Sequence, residues 1–382
     1  MTLRDHFRDE WRSGADRRGY TVEIDAKECS VPIISADPGL AALGWDEGWA
    51  SALAELHDPT LLPARVSRVD RGLSTVMTGS AEVRVVAERG AEIAVGDWVA
   101  VGPVPAADDR PRIVAVLPRR CVFRRAAGTK GTAQQIVAAN IDTVLLFDAL
   151  DGHLSLRHLE RYLALAWQSG ATPVVLLTKS DGASPAEVAD AVDSVKSVAD
   201  GVSVVVVSST TGDGIRDLAP YLIPGRTVAL LGLSGAGKST LVNLLAGADL
   251  LATGAVRSDG KGRHTTTHRE LVLLPGGGLL IDTPGMRALS VVGAGEGVEQ
   301  AFQDVEALAR DCEYANCAHG GERGCALAAA VSDGRLASGR LEGWLRLRAE
   351  PRSADYESAR RVVEDRKRRK ATKIADRRAA RP

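Results

Sequence analysis

Gly232-Leu233-Ser234-Gly235-Ala236-Gly237-Lys238-Ser239 is the stretch on which the fold turns. It follows an apolar run, Thr227 to Leu231, and precedes a helix-forming run, Thr240 to Ala246. A buried strand, a glycine-rich turn and a helix start in that order make a phosphate cradle. The glycines let backbone N–H groups close around phosphate oxygens at the positive end of the helix. Lys238 then reaches the β- and γ-phosphates, and the Ser239 hydroxyl can ligate magnesium. The loop implies a nucleoside triphosphate, with Gly232, Leu233, Ser234, Gly235, Ala236, Gly237, Lys238, Ser239 and Thr240 as contact positions.

Upstream of the loop, fully apolar runs alternate with helix-length stretches. Val144 to Phe147, Val174 to Leu177, Val204 to Val207, Val228 to Leu231 and, downstream, Leu279 to Ile281 read as strands buried on both faces of a sheet. Between them lie Leu154 to Gln168 and Pro185 to Val198, the second opening on Ser184 as N-cap with Pro185 at the first helical position. This alternation predicts an α/β domain with a mostly parallel sheet, whose ligands bind at the carboxyl ends of the strands.

Two segments at such strand ends read the base. Thr178-Lys179-Ser180-Asp181 follows one strand, and Ser208-Ser209-Thr210 follows the next. The Asp181 carboxylate can accept two hydrogen bonds from N1–H and N2–H of guanine, a pair that adenine cannot supply. The stem of Lys179 can lie along the base face, and the serine loop can present N–H groups to guanine O6. GTP and GDP are therefore the expected ligands, with adenine specificity as a distant alternative. At the end of a further strand, Asp282 can hold magnesium, and the Gly285 N–H can sense the γ-phosphate. Within Gly262-Arg263-His264-Thr265-Thr266-Thr267, Thr266 is the favoured second hydroxyl ligand of magnesium. Met286 stands where many GTPases orient water with glutamine. Hydrolysis is thus expected to be slow alone and to need a partner. The catalytic positions named are Lys238, Gly285 and His264, the nearest residue that could replace the missing group.

These parts run in rotated order, the base-reading segments preceding the phosphate loop. The fold class expected is a circularly permuted α/β phosphate-loop GTPase domain, with an N-terminal all-β barrel of the OB type and a C-terminal helical zinc-binding domain. The barrel is read from five short Val-rich runs between Ala64 and Leu117, separated by Gly72, Gly79, Gly90 and Gly96. Boundaries follow as 1–60 for an N-terminal extension, 61–120 for the barrel, 121–295 for the GTPase domain and 296–382 for the zinc domain with a basic tail.

The 382 residues, 45% of them hydrophobic, suffice for two or three cored domains. No apolar run approaches the roughly 18 residues of a membrane span, and the charged start, Met1 to Arg18, lacks signal-peptide character. A cytoplasmic monomer without membrane contact is expected. Of the five cysteines, Cys312, Cys317 and Cys325 crowd around His319. Three sulfurs and an imidazole at this spacing suit one closed, tetrahedral structural zinc ion rather than a disulfide framework. From Arg360 to Pro382, eleven Lys and Arg face three acids, a local charge of +8 that leaves about −9 on the rest of a chain whose net charge is −1. Such a tail reads either as a solvated helix or as a phosphate-backbone contact.

Taken together, these motifs resemble the RsgA/YjeQ-type family of circularly permuted GTPases. The resemblance rests on the rotated order, on Val116-Leu117-Pro118-Arg119, on Ile136 to Asp142, on Arg263 to Thr267, on Asp282 to Gly285 and on the cysteine–histidine spacing. It implies binding to the small ribosomal subunit and its rRNA, and GTP hydrolysis stimulated by that subunit during late maturation. The alternative is an RNA-binding placeholder whose release is timed by GTP binding, not by hydrolysis. Thr178 stands where the family commonly has Asn, whose amide would brace the base-binding loops, which implies weaker nucleotide affinity. Gly235 stands where potassium-activated relatives typically have Asn, which argues against that dependence.

Overall fold

A computed structural model describes residues 37–70, 72–87, 91–104, 110–127, 133–152, 154–247, 270–282 and 296–349. The chain divides into two compact units. One comprises Met1–Phe123, Ile136–Ser155 and Gly170–Arg287; the other comprises Arg124–Gln135, Leu156–Ser169 and Ala288–Pro382.

The first unit is organised by a parallel sheet. Its strands are β8 (Thr143–Ala149), β9 (Thr172–Thr178), β10 (Ser203–Val206), β11 (Thr227–Gly232) and β13 (Leu279–Asp282), with β12 (Glu270–Leu273) antiparallel to β13. The spatial order is β10-β9-β8-β11-β13-β12. Thus β11, the strand that feeds the phosphate loop, lies between one strand that precedes it in the chain and one that follows it. Every residue of β11 is buried, which is why the strand reads as an unbroken apolar run rather than an alternating one. Leu145, Phe147, Leu176, Val228, Leu230 and Leu280 belong to the core it shares with neighbouring strands.

A second set of strands precedes this sheet in the chain: β1 (Leu62–Val69), β2 (Ser74–Met77), β3 (Glu82–Val85), β4 (Trp98–Gly102) and β5 (Arg112–Val116). Strand β1 pairs antiparallel with both β2 and β4, β2 with β3, and β4 with β5. A parallel bridge between Val86 and Arg112 closes the set into a ring. Ala64, Val66, Val76, Val85 and Val99 fill its interior. The ring continues the parallel sheet, because Arg68 of β1 pairs with Glu270 of β12. Strand β12 escapes notice in the sequence, since four residues of mixed burial carry no clear period. The two-stranded ladder of β6 (Val122–Ala127) and β7 (Ala133–Ala139) escapes it as well.

Strands β1 and β4 are buried on both faces, whereas β2 alternates. The reason lies in residues 37–61, from which little chemistry is legible. Helix α1 (Pro38–Ala42) and helix α2 (Glu47–Ala54) bring Trp45 and Trp49 onto Trp98, with ring centroids 4.7 and 6.3 Å away. Asp46 caps α2 through Trp49 N–H and also takes both Arg120 nitrogens at 2.6 Å. Arg120 in turn lies over the Trp49 ring at 4.2 Å.

Opposite Trp98 in the ladder is Arg65, whose guanidinium is entirely buried. It donates to Gly96 O (3.4 Å), Asn140 O (2.9 Å), Thr227 Oγ1 (2.7 Å) and Leu43 O. Burial lowers its pKa to about 10, against the pull of Asp142 and Asp97, so it remains a cation at neutral pH. Nearby, the Asp97 carboxylate is held by Arg119 at 2.6 Å, yet burial outweighs that ion pair and keeps its pKa above the ordinary carboxylate range.

In the second unit, helices α3 (Leu156–Ser169), α6 (Glu296–Ala301), α7 (Gln303–Ala309), α8 (Ala326–Ser332) and α9 (Ser338–Ala349) pack around another buried arginine. Arg340 of α9 reaches Glu160 of α3 (2.9 Å), Asp304 of α7 (2.8 Å) and Ala301 O (2.7 Å), and lies 4.2 Å over Phe302. Gly343, one turn on, lets α9 close over that pair, since a Cβ there would sit 2.5 Å from Glu160 Oε2.

Replacing Arg65 by Met should leave three carbonyls and a hydroxyl short of a donor. We expect a loss of roughly 3 kcal/mol or more, read as a lower urea midpoint at unchanged slope. Arg65→Lys should recover little of it, because one ammonium cannot span four divergent acceptors.

Candidate nucleotide site and metal centre

At the carboxyl edge of the parallel sheet four segments converge. The phosphate loop leaves β11 at Gly232, where a Cβ would lie 2.6 Å from Phe147 O on β8. Gly235 and Gly237 take φ of +82° and +81°, left-handed values that favour glycine and turn the backbone into the helix α5 (Lys238–Ala246). Lys238 Nζ donates to Gly232 O at 2.8 Å and Leu233 O at 2.5 Å, folded over its own loop. Ser239 and Thr240 occupy the first turn of α5. Asp282 ends β13, in register with Glu270. His264, Thr266 and Gly285, together with Met286, lie outside the described residues.

The two segments expected to read the base are tied to the loop and to each other. Thr178, 1% exposed at the end of β9, carries a hydroxyl 3.0 Å from Ala236 O in the phosphate loop and 3.2 Å from Asp148 O at the end of β8. Part of the brace expected of Asn is therefore retained, but a hydroxyl has one proton for two carbonyls. Lys179 adopts φ of +60° and pairs with Asp151, a partner in the β8–α3 connection with no sequence signature of its own.

Ser208, fully buried, donates to Asp181 Oδ1 at 2.6 Å and accepts from Thr210 N and Thr211 N at 3.2 and 3.1 Å. That bond leaves Oδ2 and the remaining lone pairs of an exposed carboxylate to meet two donors in one plane. Ser180 N–H bonds Val207 O at 3.3 Å, so both loops share a frame, and Ser209 is half-buried beside it. The helix α4 (Pro185–Lys196) that follows begins as expected, with Ser184 and Glu187 forming a reciprocal capping box.

The C-terminal cluster stands in the second unit. One ligand atom each of Cys312, Cys317, His319 and Cys325 lies within 4.8 Å of all the others. His319 Nδ1 is 3.5 Å from Cys312 Sγ and 3.9 Å from Cys325 Sγ. A tetrahedral ion with bonds of about 2.3 Å to sulfur needs ligand separations near 3.8 Å, so the four side chains fit a closed site for such a metal. Two sulfurs also accept backbone N–H groups at the start of α8, from Ala326 to Cys312 and from Ala328 to Cys325, both at 3.4 Å. Burial, aided by Arg348, lowers the His319 pKa, which favours the neutral imidazole that a metal requires. Trp344 braces the ring edge-on at 5.2 Å and is itself fixed by a bond from its indole N–H to Glu306 at 2.8 Å.

A phosphate loop at the centre of a parallel sheet, with the loops after β9 and β10 supplied from earlier in the chain, defines a circularly permuted phosphate-loop GTPase. A family model described as RsgA GTPase matches residues 116–292. The chain is 44% identical over 320 residues to the small ribosomal subunit biogenesis GTPase RsgA of Streptomyces coelicolor, covering 81% of this chain and 86% of that protein. It is 44% identical over 341 residues to the protein of the same name in Opitutus terrae, covering 85% and 91%. Its fold is similar to that of YjeQ from Thermotoga maritima, with a TM-score of 0.57 at 24% identity, covering 75% of this chain and 97% of that one. It is also similar to that of YloQ, a circularly permuted GTPase, with a TM-score of 0.55 at 21% identity, covering 75% and 94%. The chain belongs to the RsgA family of GTPases.

Two measurements probe the site. Thr178→Val keeps the shape but removes the proton shared by Ala236 O and Asp148 O. It should weaken GDP binding about tenfold, read by titrating a fluorescent GDP analogue, while Thr178→Asn should bind at least as tightly as the native chain. Elemental analysis should return a single metal ion per chain, lost in Cys325→Ser together with thermal stability of the second unit.

Proposed function

We infer that the chain is a GTP hydrolase that works on the small ribosomal subunit, cleaving GTP to GDP and phosphate during the subunit's late maturation. The observation that carries this reading is the Thr178 hydroxyl, which joins the guanine-reading segment to the phosphate loop at 3.0 Å and so makes one site of parts far apart in the chain. Asp181, set by Ser208, would accept N1–H and N2–H of guanine, with Lys179 along the base and Ser180 and Ser209 closing the pocket. Phosphates would take the backbone N–H groups from Gly232 to Thr240. Lys238 would leave its own carbonyls to neutralise charge between the β- and γ-phosphates.

Ser239, Asp282 and Thr266 are the residues that would hold magnesium, which supplies charge neutralisation on the transferring phosphoryl group. Gly285 would sense the γ-phosphate through its N–H. With Met286 unable to orient water, His264 or a partner group completes the machinery. Subunit-supplied stabilisation of this kind is worth about 10³–10⁵ in rate. The closed ring β1–β5 supports an OB-type barrel: each strand pairs with its ladder neighbours, and a parallel bridge joins the third segment to the fifth. The Cys₃His arrangement supports a structural zinc ion, and the basic tail supports contact with rRNA phosphates. We further infer a cytoplasmic monomer.

Turnover of GTP measured with and without small subunits tests the reading. We expect strong stimulation by the subunit; its loss in His264→Ala would assign the water-orienting role to that residue, and its retention would assign it to the subunit. Absence of any stimulation in the native chain would overturn it. Met286 favours one second reading, in which nucleotide binding alone times release. Equal release from the subunit with GTP and with a non-hydrolysable analogue would support that reading instead.

A further inference from the structure

At the opposite edge of the parallel sheet from the nucleotide loops, the segments that lead into β8, β9 and β11 border a cleft of about 580 Å³. That volume falls within the roughly 300–1,000 Å³ of small-ligand sites. Its floor includes Trp45 and Arg65, 5% and 2% exposed, and its mouth includes Arg120 and Arg226, whose side chains are 53% and 58% exposed. The charged residues around it are Arg65, Arg120 and Arg226 against Asp46 and Asp142, a balance of one positive charge. Asp46 is already engaged by Arg120, and Asp142 by Arg226 at 2.8 Å.

Two buried residues that border the cleft have N–H groups without acceptors. Trp45 Nε1–H is fully buried and, among the described residues, has no hydrogen-bond partner. Arg65 directs four of its five N–H groups to protein oxygens, which leaves one Nη1 proton. That Nη1 lies near Gly44, itself on the cleft wall: a Cβ at Gly44 would come within 3.2 Å of it. At the mouth, Arg226 uses Nη1 toward Asp142 and has its other nitrogens in reserve. Buried donors of this kind are normally satisfied. Donors beneath the cleft, the Arg226 guanidinium at the rim and an excess positive charge match a group with several acceptor oxygens and full negative charge.

We propose that this cleft is a second ligand site that binds a phosphate group, separate from the nucleotide loops. The separation follows from β11, which starts at Thr227, next to the cleft residue Arg226, and ends at the loop with Gly232, a run of roughly 17 Å at 3.3 Å per residue. The phosphate belongs either to a small phosphate-bearing molecule or to an RNA backbone, and both present the same oxygens to the same donors.

Indole N–H resonances of ¹⁵N-labelled protein report on the floor directly, and Trp45→Phe identifies the resonance of Trp45 by its loss. Inorganic phosphate and then a single-stranded oligoribonucleotide are titrated at matched ionic strength, each against a sodium chloride control. The expected result is a saturable downfield movement of the Trp45 resonance. Movement with inorganic phosphate assigns the site to a free phosphate group, whereas movement with the oligoribonucleotide alone assigns it to the RNA backbone. Arg226→Gln should weaken that binding about tenfold and leave GTP turnover unchanged. A Trp45 resonance unmoved by both probes, or moved equally by sodium chloride, would overturn the proposal. Loss of subunit-stimulated turnover with the Trp45 response intact would instead count against the GTPase reading alone.

Discussion

The guanidinium of Arg65 joins four segments that are far apart in the chain: Leu43 ahead of β1, Gly96 ahead of β4, Asn140 after β7 and Thr227 at the start of β11. Among the described residues, no carboxylate bonds to it. Three carbonyl dipoles and a hydroxyl replace the water it has lost, and Trp98 covers it with the ring centroid 5.6 Å away. A buried cation held by neutral groups is stable only while all of them stay in place. The first residue of the strand that feeds the phosphate loop is therefore set by contacts made at the other end of the unit. The ring of strands and the nucleotide sheet then continue one another through β1 and β12.

Within that frame the site is a problem of alignment. Chain order separates Thr178 from Ala236 by 58 positions, yet the two meet at 3.0 Å because β9 and β11 both flank β8 and end at the same level. Circular permutation does not disturb this, since a parallel sheet brings strand ends together whatever their order along the chain. What permutation changes is which covalent neighbour each loop is tied to. The second unit follows the same logic with a different cation, Arg340, whose two carboxylates and one carbonyl organise the helices that also carry the Trp344 brace of the metal cluster.

Much of this was readable in advance. Strands buried on both faces announce themselves as unbroken apolar runs, and β8, β9, β10, β11 and β13 each lie within a few residues of where such runs predict them. The strands β1 to β5 and the capped start of α4 were legible for equally local reasons, namely turn glycines, β-branched runs and a Ser-Pro helix start. The cysteine–histidine cluster was legible because metal geometry restricts spacing.

Other features left no such trace. The partners of Lys179 and Thr178, Asp151 and Ala236, are an ordinary acid and an ordinary alanine, and nothing in either side chain marks its role. Trp45 and Trp49 read as generic apolar residues until Trp98 is seen beside them. Nothing in the sequence marks Arg65 as buried, because an arginine in a strand is normally solvated. Local chemistry was enough to name the family, the order of parts and the four residues of the cysteine–histidine cluster, since each depends on atoms a few positions apart. Which carbonyl receives which proton, which arginine is buried and where a cleft opens could be settled only in three dimensions, because each depends on segments that meet through packing rather than through the chain.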